Sequence, residues 1–223
     1  HALESLLMED WHHEKLSILL MNKINEEFDG ELSMALEMFQ GKYHRRFFNQ
    51  LISSQLDVDR LDYLKRDSFF TGVSEGSVNT QRIISMMNVC DDELVIDEKG
   101  VYSIENFLTA RMFMYWQVYY HKTSALAEHL LVKILSRAKQ LISEGKSIEA
   151  YGNLKYFLYK TDFEKATEED INRFTQLDDT DVLSAIKTWQ NADDFVLSYF
   201  CRAVVQRKFP KTVFSSHPFD QQI

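Results

Sequence analysis

The stretch ENFLTARMFMYWQVYYHKTSALAEHLLVKILSRAKQLIS, residues 105–143, contains neither glycine nor proline, and its apolar residues recur at intervals of three and four. That period is typical of an α-helix with one apolar side. Glycine and proline disfavour a helix most strongly, and neither is present to end it. The stretch therefore predicts a long central helix, straight or kinked, and a mainly α fold.

Composition supports the same fold class. The chain has 223 residues, of which only 7 are Gly and 2 are Pro. Its length is enough for one large domain or for a core with a satellite. The net charge of −9 provides no general field that attracts nucleic acid. Cys90 and Cys201 are too few for a disulfide framework and form no CxxC metal motif.

The first residues of the sequence and its longest apolar segments indicate where the protein resides. We find no signal peptide and no apolar run long enough to span a bilayer. We therefore expect a cytoplasmic protein with no membrane contact. The chain opens at His1 without an initiator Met, which predicts a piece of a longer protein.

Shorter helices and one hairpin are expected around the central helix. Gly41 separates two short helices, and Gly72 is placed to end a helix over residues 55–72. One β-hairpin is predicted over residues 88–104, with its turn at residues 98–100. Further helices are predicted at residues 10–24, 80–88, 167–177, 179–189 and 193–209.

The helix QLDVDRLDYLKRDSFFTG, residues 55–72, carries an apolar stripe centred on Leu61 and Leu64. A carboxylate, a cation, an aromatic ring and a second carboxylate follow at spacings that let side chains meet: Asp59, Arg60, Tyr63 and Asp67. Such a set suits a metal-bound phosphate and a sugar. Taken alone, however, the helix favours ion pairs on a solvated face, and Asp57, Asp62 and Lys65 are expected there.

A second set of polar residues lies on the central helix. Arg111, Tyr115, Tyr119 and Lys122 follow at steps of four, four and three residues, so they share one face. Arginine can hold phosphate oxygens in a bidentate fork. Aromatic packing, with Arg111 reaching to water, explains the same pattern equally well. The residues leave both interpretations open.

The segment WHHEK, residues 11–15, places His13 beside an acidic residue, and Glu4 lies close upstream. Imidazole with a carboxylate partner is a common unit for proton transfer near neutral pH. An isolated histidine is more often a surface or core residue. The sequence has no Walker loop, no GxGxxG motif and no zinc signature.

Together, the three segments resemble the HD-domain metal-dependent phosphohydrolases, most closely the branch of SAM- and HD-domain-like dNTP triphosphohydrolases. The resemblance covers residues 1 to about 130 and implies an HD-domain-like helical bundle with a small β-hairpin. It makes residues 1–145 the C-terminal part of the HD phosphohydrolase domain. Residues 146–223 become a helical extension with a regulatory or oligomerising role.

The resemblance also implies roles for individual residues. HALE, residues 1–4, and WHHEK match the segments around the catalytic histidine, with His1, Glu4 and His13 in the catalytic group. DVDRLDYLKRD supplies a metal ligand, a phosphate contact, a sugar-stacking ring and an acceptor for the 3′-hydroxyl, in the order Asp59, Arg60, Tyr63 and Asp67. The face of Arg111, Tyr115 and Tyr119 holds the terminal phosphates, sugar and base.

A regulatory nucleotide site is implied less directly. Its basic residues match His121, Lys122, Arg82, Arg207 and Lys211. Asn79 stands where the family has an acid that reads guanine, which argues against GTP or dGTP as the regulator. By resemblance we expect a homo-oligomer, either a dimer or a tetramer.

The implied reaction is hydrolysis of a dNTP to deoxynucleoside and triphosphate, with a divalent metal (Mn, Mg, Fe, Zn or Ni) as cofactor. The upstream His and the His-Asp doublet of the family are missing, so the chain alone is expected to be inactive. Arg60 stands where the animal enzyme has Lys. Two alternatives stay open: an HD-type hydrolase of nucleoside monophosphates or cyclic nucleotides, and a non-catalytic nucleotide-binding or oligomerisation module.

Overall fold

The computed structural model describes residues 13–161 and 167–213. Those residues form eleven α-helices and one hairpin: α1 (His13–Glu27), α2 (Ser33–Phe39), α3 (Arg46–Ile52), α4 (Val58–Thr71), α5 (Thr80–Met86), β1 (Met87–Cys90), β2 (Glu93–Ile96), α6 (Val101–Met114), α7 (Lys122–Ser143), α8 (Gly152–Tyr159), α9 (Glu168–Phe174), α10 (Asp179–Trp189) and α11 (Phe195–Val205). The predicted mainly α fold with a small β-hairpin is confirmed. Within these ranges no helix has the length and apolar character needed to cross a bilayer.

The chain divides into two compact units. The first unit is residues 17–121, and the second contains the described residues on either side of it. Each unit has its own cluster of buried apolar side chains. The predicted assignment of residues 146–223 to regulation or oligomerisation stays a prediction.

The first unit is held together where α4 packs on α6. Leu61 and Leu64 on α4 are buried in one cluster with Phe107 and Met114 of α6. A short 3₁₀ turn after α4 contains Gly76, where an added Cβ would lie 2.4 Å from the sulfur of Met114. The close approach of this turn to α6 therefore requires glycine.

The ends of α4 follow from local chemistry. The Asp57 side chain accepts a hydrogen bond from the backbone N–H of Arg60, which makes Asp57 the N-cap. Gly72 ends the helix in the left-handed conformation, with φ of 71°. The predicted stop at Gly72 is confirmed.

The hairpin turn lies elsewhere than predicted. β1 and β2 pair antiparallel with Cys90 opposite Glu93, so the loop is Asp91 and Asp92, and residues 98–100 form a 3₁₀ turn instead. Both loop residues have positive φ, 50° and 65°. Two-residue hairpin loops need such values, which aspartate tolerates better than most residues. Asp92 also accepts hydrogen bonds from the Arg45 side chain and the Arg46 backbone, which tie the loop to the start of α3.

The predicted central helix is interrupted. α6 passes into a π-helical segment, Tyr115–Tyr119, and helical structure resumes only at Lys122. The Tyr120 backbone N–H donates to the carbonyl of Tyr115 at 2.8 Å, five residues back. Such widened turns occur mostly singly and often at functional sites.

In the second unit, α7 buries one side against the other helices: Leu130, Ile134, Leu135, Ala138 and Leu141. The predicted helices at residues 167–177, 179–189 and 193–209 correspond to α9, α10 and α11. α8 was not predicted. It buries Leu154, Phe157 and Leu158 in the same cluster as Trp189 of α10, so tertiary packing stabilises this short helix.

An ion pair joins α7 to the start of α11. Arg137 donates from two nitrogens to the carboxylate of Asp194, at 3.1 and 2.6 Å. Asp194 also caps α11 by accepting from the backbone N–H of Leu197 at 2.9 Å. The hydrogen bonds from Arg137, opposed by partial burial, lower the pKa of Asp194 to about 2.

Replacing Asp194 with Asn should lower the free energy of unfolding at pH 7 by about 1–3 kcal/mol, because the charged hydrogen bonds weaken while Asn still caps the helix. The pKa of Asp194 is lower in the folded protein than the value of about 4 in an unfolded chain. Its contribution is therefore complete above about pH 5 and is lost as the pH falls towards 2. Thermal unfolding across this pH range measures the effect.

Asp193→Asn is the matched control, since Asp193 is the exposed neighbour of Asp194. It should leave the unfolding temperature nearly unchanged. If Asp194→Asn lowered the stability by the same amount at pH 7 and at pH 2, the role given to the charge of Asp194 would be contradicted.

Candidate functional site

The residues predicted on α4 and on the central helix meet in the first unit. The Tyr119 hydroxyl donates to Oδ2 of Asp67 at 2.6 Å, although the two residues are 52 positions apart in sequence. The ring of Tyr63 meets that of Tyr119 edge-on, with centroids 6.1 Å apart. The Tyr115 ring also meets the Tyr119 ring edge-on, with ring centroids 5.2 Å apart. These four residues and the two arginines beside them, Arg60 and Arg111, are named the aromatic–arginine cluster.

Burial raises the pKa of two tyrosines of this cluster, Tyr63 and Tyr119. Burial raises the pKa of Tyr119, and its hydrogen bond to Asp67 raises it further. Burial also raises the pKa of Tyr63, while the charges of Arg111 and Arg60 oppose that rise. The raised pKa values of Tyr63 and Tyr119 leave both hydroxyls protonated at neutral pH, so they can act as hydrogen-bond donors.

Arg111 is part of the cluster. Its guanidinium carbon lies 5.6 Å from the centre of the Tyr115 ring, within cation–π range. Its Nη1 donates to Oε1 of Gln55 at 3.2 Å. Partial burial lowers the pKa of Arg111, but interactions with the hydroxyls of Tyr115 and Tyr63 raise it overall. Ring packing and a half-buried cation thus occur together, as in the aromatic-packing interpretation, while phosphate binding by Arg111 stays a prediction.

Arg60 and Asp57 are linked inside the unit. The Asp57 side chain is buried, so the expectation that it lies on a solvated face is wrong. Nη1 of Arg60 contacts Oδ2 of Asp57 and the backbone carbonyl of Ser54. Nε of Arg60 is buried without a hydrogen-bond partner in the described part of the chain. A carboxylate buried as deeply as that of Asp57 needs a charged hydrogen-bond donor, and Nη1 of Arg60 is that donor.

The solvated face of α4 is carried by other residues. Asp62 and Arg66 form an exposed ion pair at 2.7 Å, one helical turn apart, as expected for Asp62. Exposed pairs of this kind contribute little to stability. They are therefore suitable controls for substitutions at Asp59 and Arg60 on the same helix.

Asp59 lies in the first turn of α4 with its side chain exposed. Its carboxylate makes no hydrogen bond or ion pair within residues 13–161 and 167–213. Over the same ranges, no group of three or more His, Cys, Asp or Glu side chains is arranged to hold a metal ion. The described residues therefore do not form a metal site by themselves, and Asp59 could supply at most one ligand.

The predicted catalytic residues are His1, Glu4 and His13, and of these the structure describes only His13. His13 begins α1, is exposed and belongs to the second unit. His1 and Glu4 lie outside the described residues. The catalytic roles of all three therefore stay predictions.

The residues predicted for a regulatory nucleotide are divided between the units. His121 and Arg82 belong to the first unit, while Lys122, Arg207 and Lys211 belong to the second, and all five are exposed. Asn79 uses its side-chain oxygen to cap α5, accepting from the Arg82 backbone N–H at 3.1 Å. This hydrogen bond gives Asn79 a structural role at the position where the resemblance places an acid.

The turn at residues 54–57 contacts two of the predicted residues but was not predicted as part of the site. Asp57 stands directly before the helical pattern of α4, which is an N-cap signal that could have been read from the sequence. Gln55 carries no such signal. Its partner Arg111 lies 56 positions away, so only the folded chain brings them together.

Comparison with known proteins agrees with this fold. Residues 78–156 match the family model described as HD associated region. The Bacillus subtilis protein YwfO is 35% identical over 189 residues, covering 85% of this chain and 42% of that protein. A deoxynucleoside triphosphate triphosphohydrolase SAMHD1 homolog from Dictyostelium discoideum is 27% identical over 166 residues, covering 67% of this chain and 32% of that protein.

A solved structure extends the similarity to nearly the whole chain. The crystal structure of a phosphohydrolase from Bacteroides thetaiotaomicron matches with a TM-score of 0.94 and 47% identity, covering 99% of this chain and 56% of that one. The chain thus spans about half of the length of these relatives or less. Residues 78–156 thus match an HD associated region, within a chain that shares its fold with part of the Bacteroides phosphohydrolase.

Proposed function

We propose that this chain forms the substrate-binding part of an HD-type phosphohydrolase that cleaves a dNTP to deoxynucleoside and triphosphate. The observation that carries the proposal is the aromatic–arginine cluster, in which Arg111 lies against the Tyr115 ring and the Tyr63 ring meets Tyr119 beside the Asp67–Tyr119 hydrogen bond. The similarity to the Dictyostelium triphosphohydrolase homolog supports the choice of substrate.

Two cations beside one group of aromatic rings suit an oligophosphate. Guanidinium groups pair with phosphate oxygens through charged hydrogen bonds, and a chain of phosphates can engage two of them at once. A nucleoside monophosphate would leave Arg111 without an anionic partner, whereas Arg60 already pairs with Asp57. The cluster therefore favours a triphosphate over the monophosphate and cyclic nucleotide alternatives.

The remaining groups suit a deoxyribose. Oδ2 of Asp67 is occupied by Tyr119, while Oδ1 makes no hydrogen bond within the described residues and can accept one from a sugar hydroxyl. The Tyr63 ring, half-buried against Tyr119, provides a flat apolar surface for C2′. A 2′-hydroxyl packed there would lose its hydration without gaining a partner.

In the longer protein, His13, oriented by Glu4, is assigned the transfer of a proton to the leaving 5′-oxygen. Asp59 is assigned as one ligand of a divalent metal, with the other ligands outside the described residues. Assembly into a homo-oligomer, with a regulatory nucleotide bound near His121 and Lys122, belongs to the same proposal.

The direct test is a substrate screen of the full-length protein that contains this chain. With Mn²⁺ or Mg²⁺ and a panel of dNTPs, NTPs and monophosphates, we expect triphosphate release from dNTPs. Arg111→Ala should lower kcat/KM by about 100-fold, since it removes a charge that stabilises the reacting phosphates. Arg66→Ala, at the exposed ion pair of α4, is the control and should change little. Release of single phosphates, or no effect of Arg111→Ala, would contradict the proposal.

Tyr63→Ala should narrow the difference in kcat/KM between a dNTP and the matching NTP, because it removes the surface that excludes the 2′-hydroxyl. The ratio for dATP and ATP is the measurement, and a change of about 10-fold is expected for one lost packing contact. Tyr102→Ala removes an exposed tyrosine of the same unit and should leave the ratio unchanged. An unaltered ratio in Tyr63→Ala rules out Tyr63 as the selecting residue.

Asp59→Asn should lower both the metal content of the purified full-length protein and its turnover, because the amide oxygen is a weaker metal ligand than a carboxylate. Elemental analysis and the dNTP assay are made on the same preparation. Asp62→Asn, one turn away and already paired with Arg66, should retain both. Full metal content in Asp59→Asn would contradict the assignment of Asp59.

A further inference from the structure

The turn at residues 54–57, which connects α3 to α4, contacts both arginines of the aromatic–arginine cluster. Ser54 and Asp57 contact the guanidinium of Arg60, through a backbone carbonyl and a carboxylate. Gln55 accepts a hydrogen bond from Arg111 at 3.2 Å. One short segment therefore touches two cations that come from different helices.

Two hydrogen bonds from the backbone fix the orientation of the Asp57 carboxylate. Its Oδ1 accepts from the backbone N–H of Arg60 at 2.8 Å, and its Oδ2 accepts from the backbone N–H of Ser54 at 3.2 Å. Only 2% of Asp57 is exposed. With both oxygens engaged by the backbone, the carboxylate offers Nη1 of Arg60 one defined position.

The guanidinium of Arg60 is restricted as a result. Its Nη1 faces Asp57 and its Nε is buried, while 27% of the side chain remains exposed. Arginine has many rotamers, and their loss on binding lowers affinity. A cation already confined by a buried carboxylate loses less of this freedom when it binds a phosphate.

Gln55 acts on Arg111 in a different way. Gln55 is exposed and uncharged, so its hydrogen bond orients the Arg111 guanidinium without neutralising it. The guanidinium carbon of Arg111 also lies 5.6 Å from the centre of the Tyr115 ring. Arg111 thus contacts a ring and an amide, both uncharged, so its charge is not neutralised by them.

We propose that the 54–57 turn positions the two phosphate-binding arginines, with Asp57 fixing Arg60 and Gln55 fixing Arg111, so that their spacing matches an oligophosphate. Asp57 and Gln55 are positioning residues that act through the arginines and need not touch the substrate. This inference rests on the proposed function, since it assigns phosphate binding to Arg60 and Arg111.

A double-mutant cycle on the full-length protein tests the pair Asp57 and Arg60. Binding of inorganic triphosphate and of dATP is measured by calorimetry for the wild type, Asp57→Asn, Arg60→Ala and the double variant. Asn preserves the helix cap but removes the charge that holds Arg60. We expect Asp57→Asn to raise Kd by about 10-fold or more, and to have no further effect once Arg60 is Ala.

The same cycle with Gln55→Ala and Arg111→Ala tests the second pair. Because Gln55 is exposed, Gln55→Ala should not affect folding. Asp62→Asn, which releases the exposed Arg66, is the matched control and should leave Kd unchanged. If Asp57→Asn fails to fold, as seen by circular dichroism, the Gln55 cycle decides the proposal.

Two results would overturn the inference. An effect of Asp57→Asn that persists in the Arg60→Ala background would show that Asp57 is only structural. An unchanged or lower Kd in Asp57→Asn would show that Asp57 is neutral or competes with the phosphate. The proposed function is judged separately. If the wild-type protein binds inorganic triphosphate but releases no triphosphate from any dNTP, the proposed function is refuted. The Kd values of the double-mutant cycles can still be interpreted in that case.

Discussion

The packing of α4 against α6 is the contact on which the rest of the candidate site depends. Leu64 and Met114 are completely buried in it, and Gly76 lets the turn after α4 lie directly against Met114. Because this packing sets the separation of the two helices, it brings Asp67 within hydrogen-bond distance of Tyr119. The apolar contact thus supplies the geometry, and the polar cluster is built at its edge.

Burial of Asp57 gives the site a second constraint. A carboxylate removed from water is costly unless charged and hydrogen-bonded partners surround it, and the backbone of Ser54 and the side chain of Arg60 meet that need. The same interactions begin α4 and restrict Arg60. Helix capping, charge compensation and the orientation of Arg60 are therefore one arrangement, so a change at Asp57 affects all three.

Much of the first unit could be predicted because its signals are local. The apolar repeat of Leu61 and Leu64 and the glycine at position 72 specify α4 without help from the rest of the chain. The hairpin turn could not be placed because Glu98-Lys99-Gly100 is a typical turn sequence, whereas Asp91 and Asp92 adopt positive φ without glycine. The π-helical segment Tyr115–Tyr119 does not change the spacing of the apolar residues, so the interruption of the central helix could not be predicted from the sequence.

By itself, the sequence determined the helical class and the face of α4 that carries Asp59, Arg60, Tyr63 and Asp67. These depend on spacing along one helix, which the chemistry of neighbouring residues specifies. Only the tertiary structure decided which charges are buried and which cations face the cluster. Asp57 and Asp62 look alike in sequence, yet one is buried against Arg60 and the other pairs with Arg66 in solvent. The pairs themselves are local, since their members are three and four residues apart. The burial of Asp57 is different, because it depends on the segments that pack around the start of α4 in the folded unit.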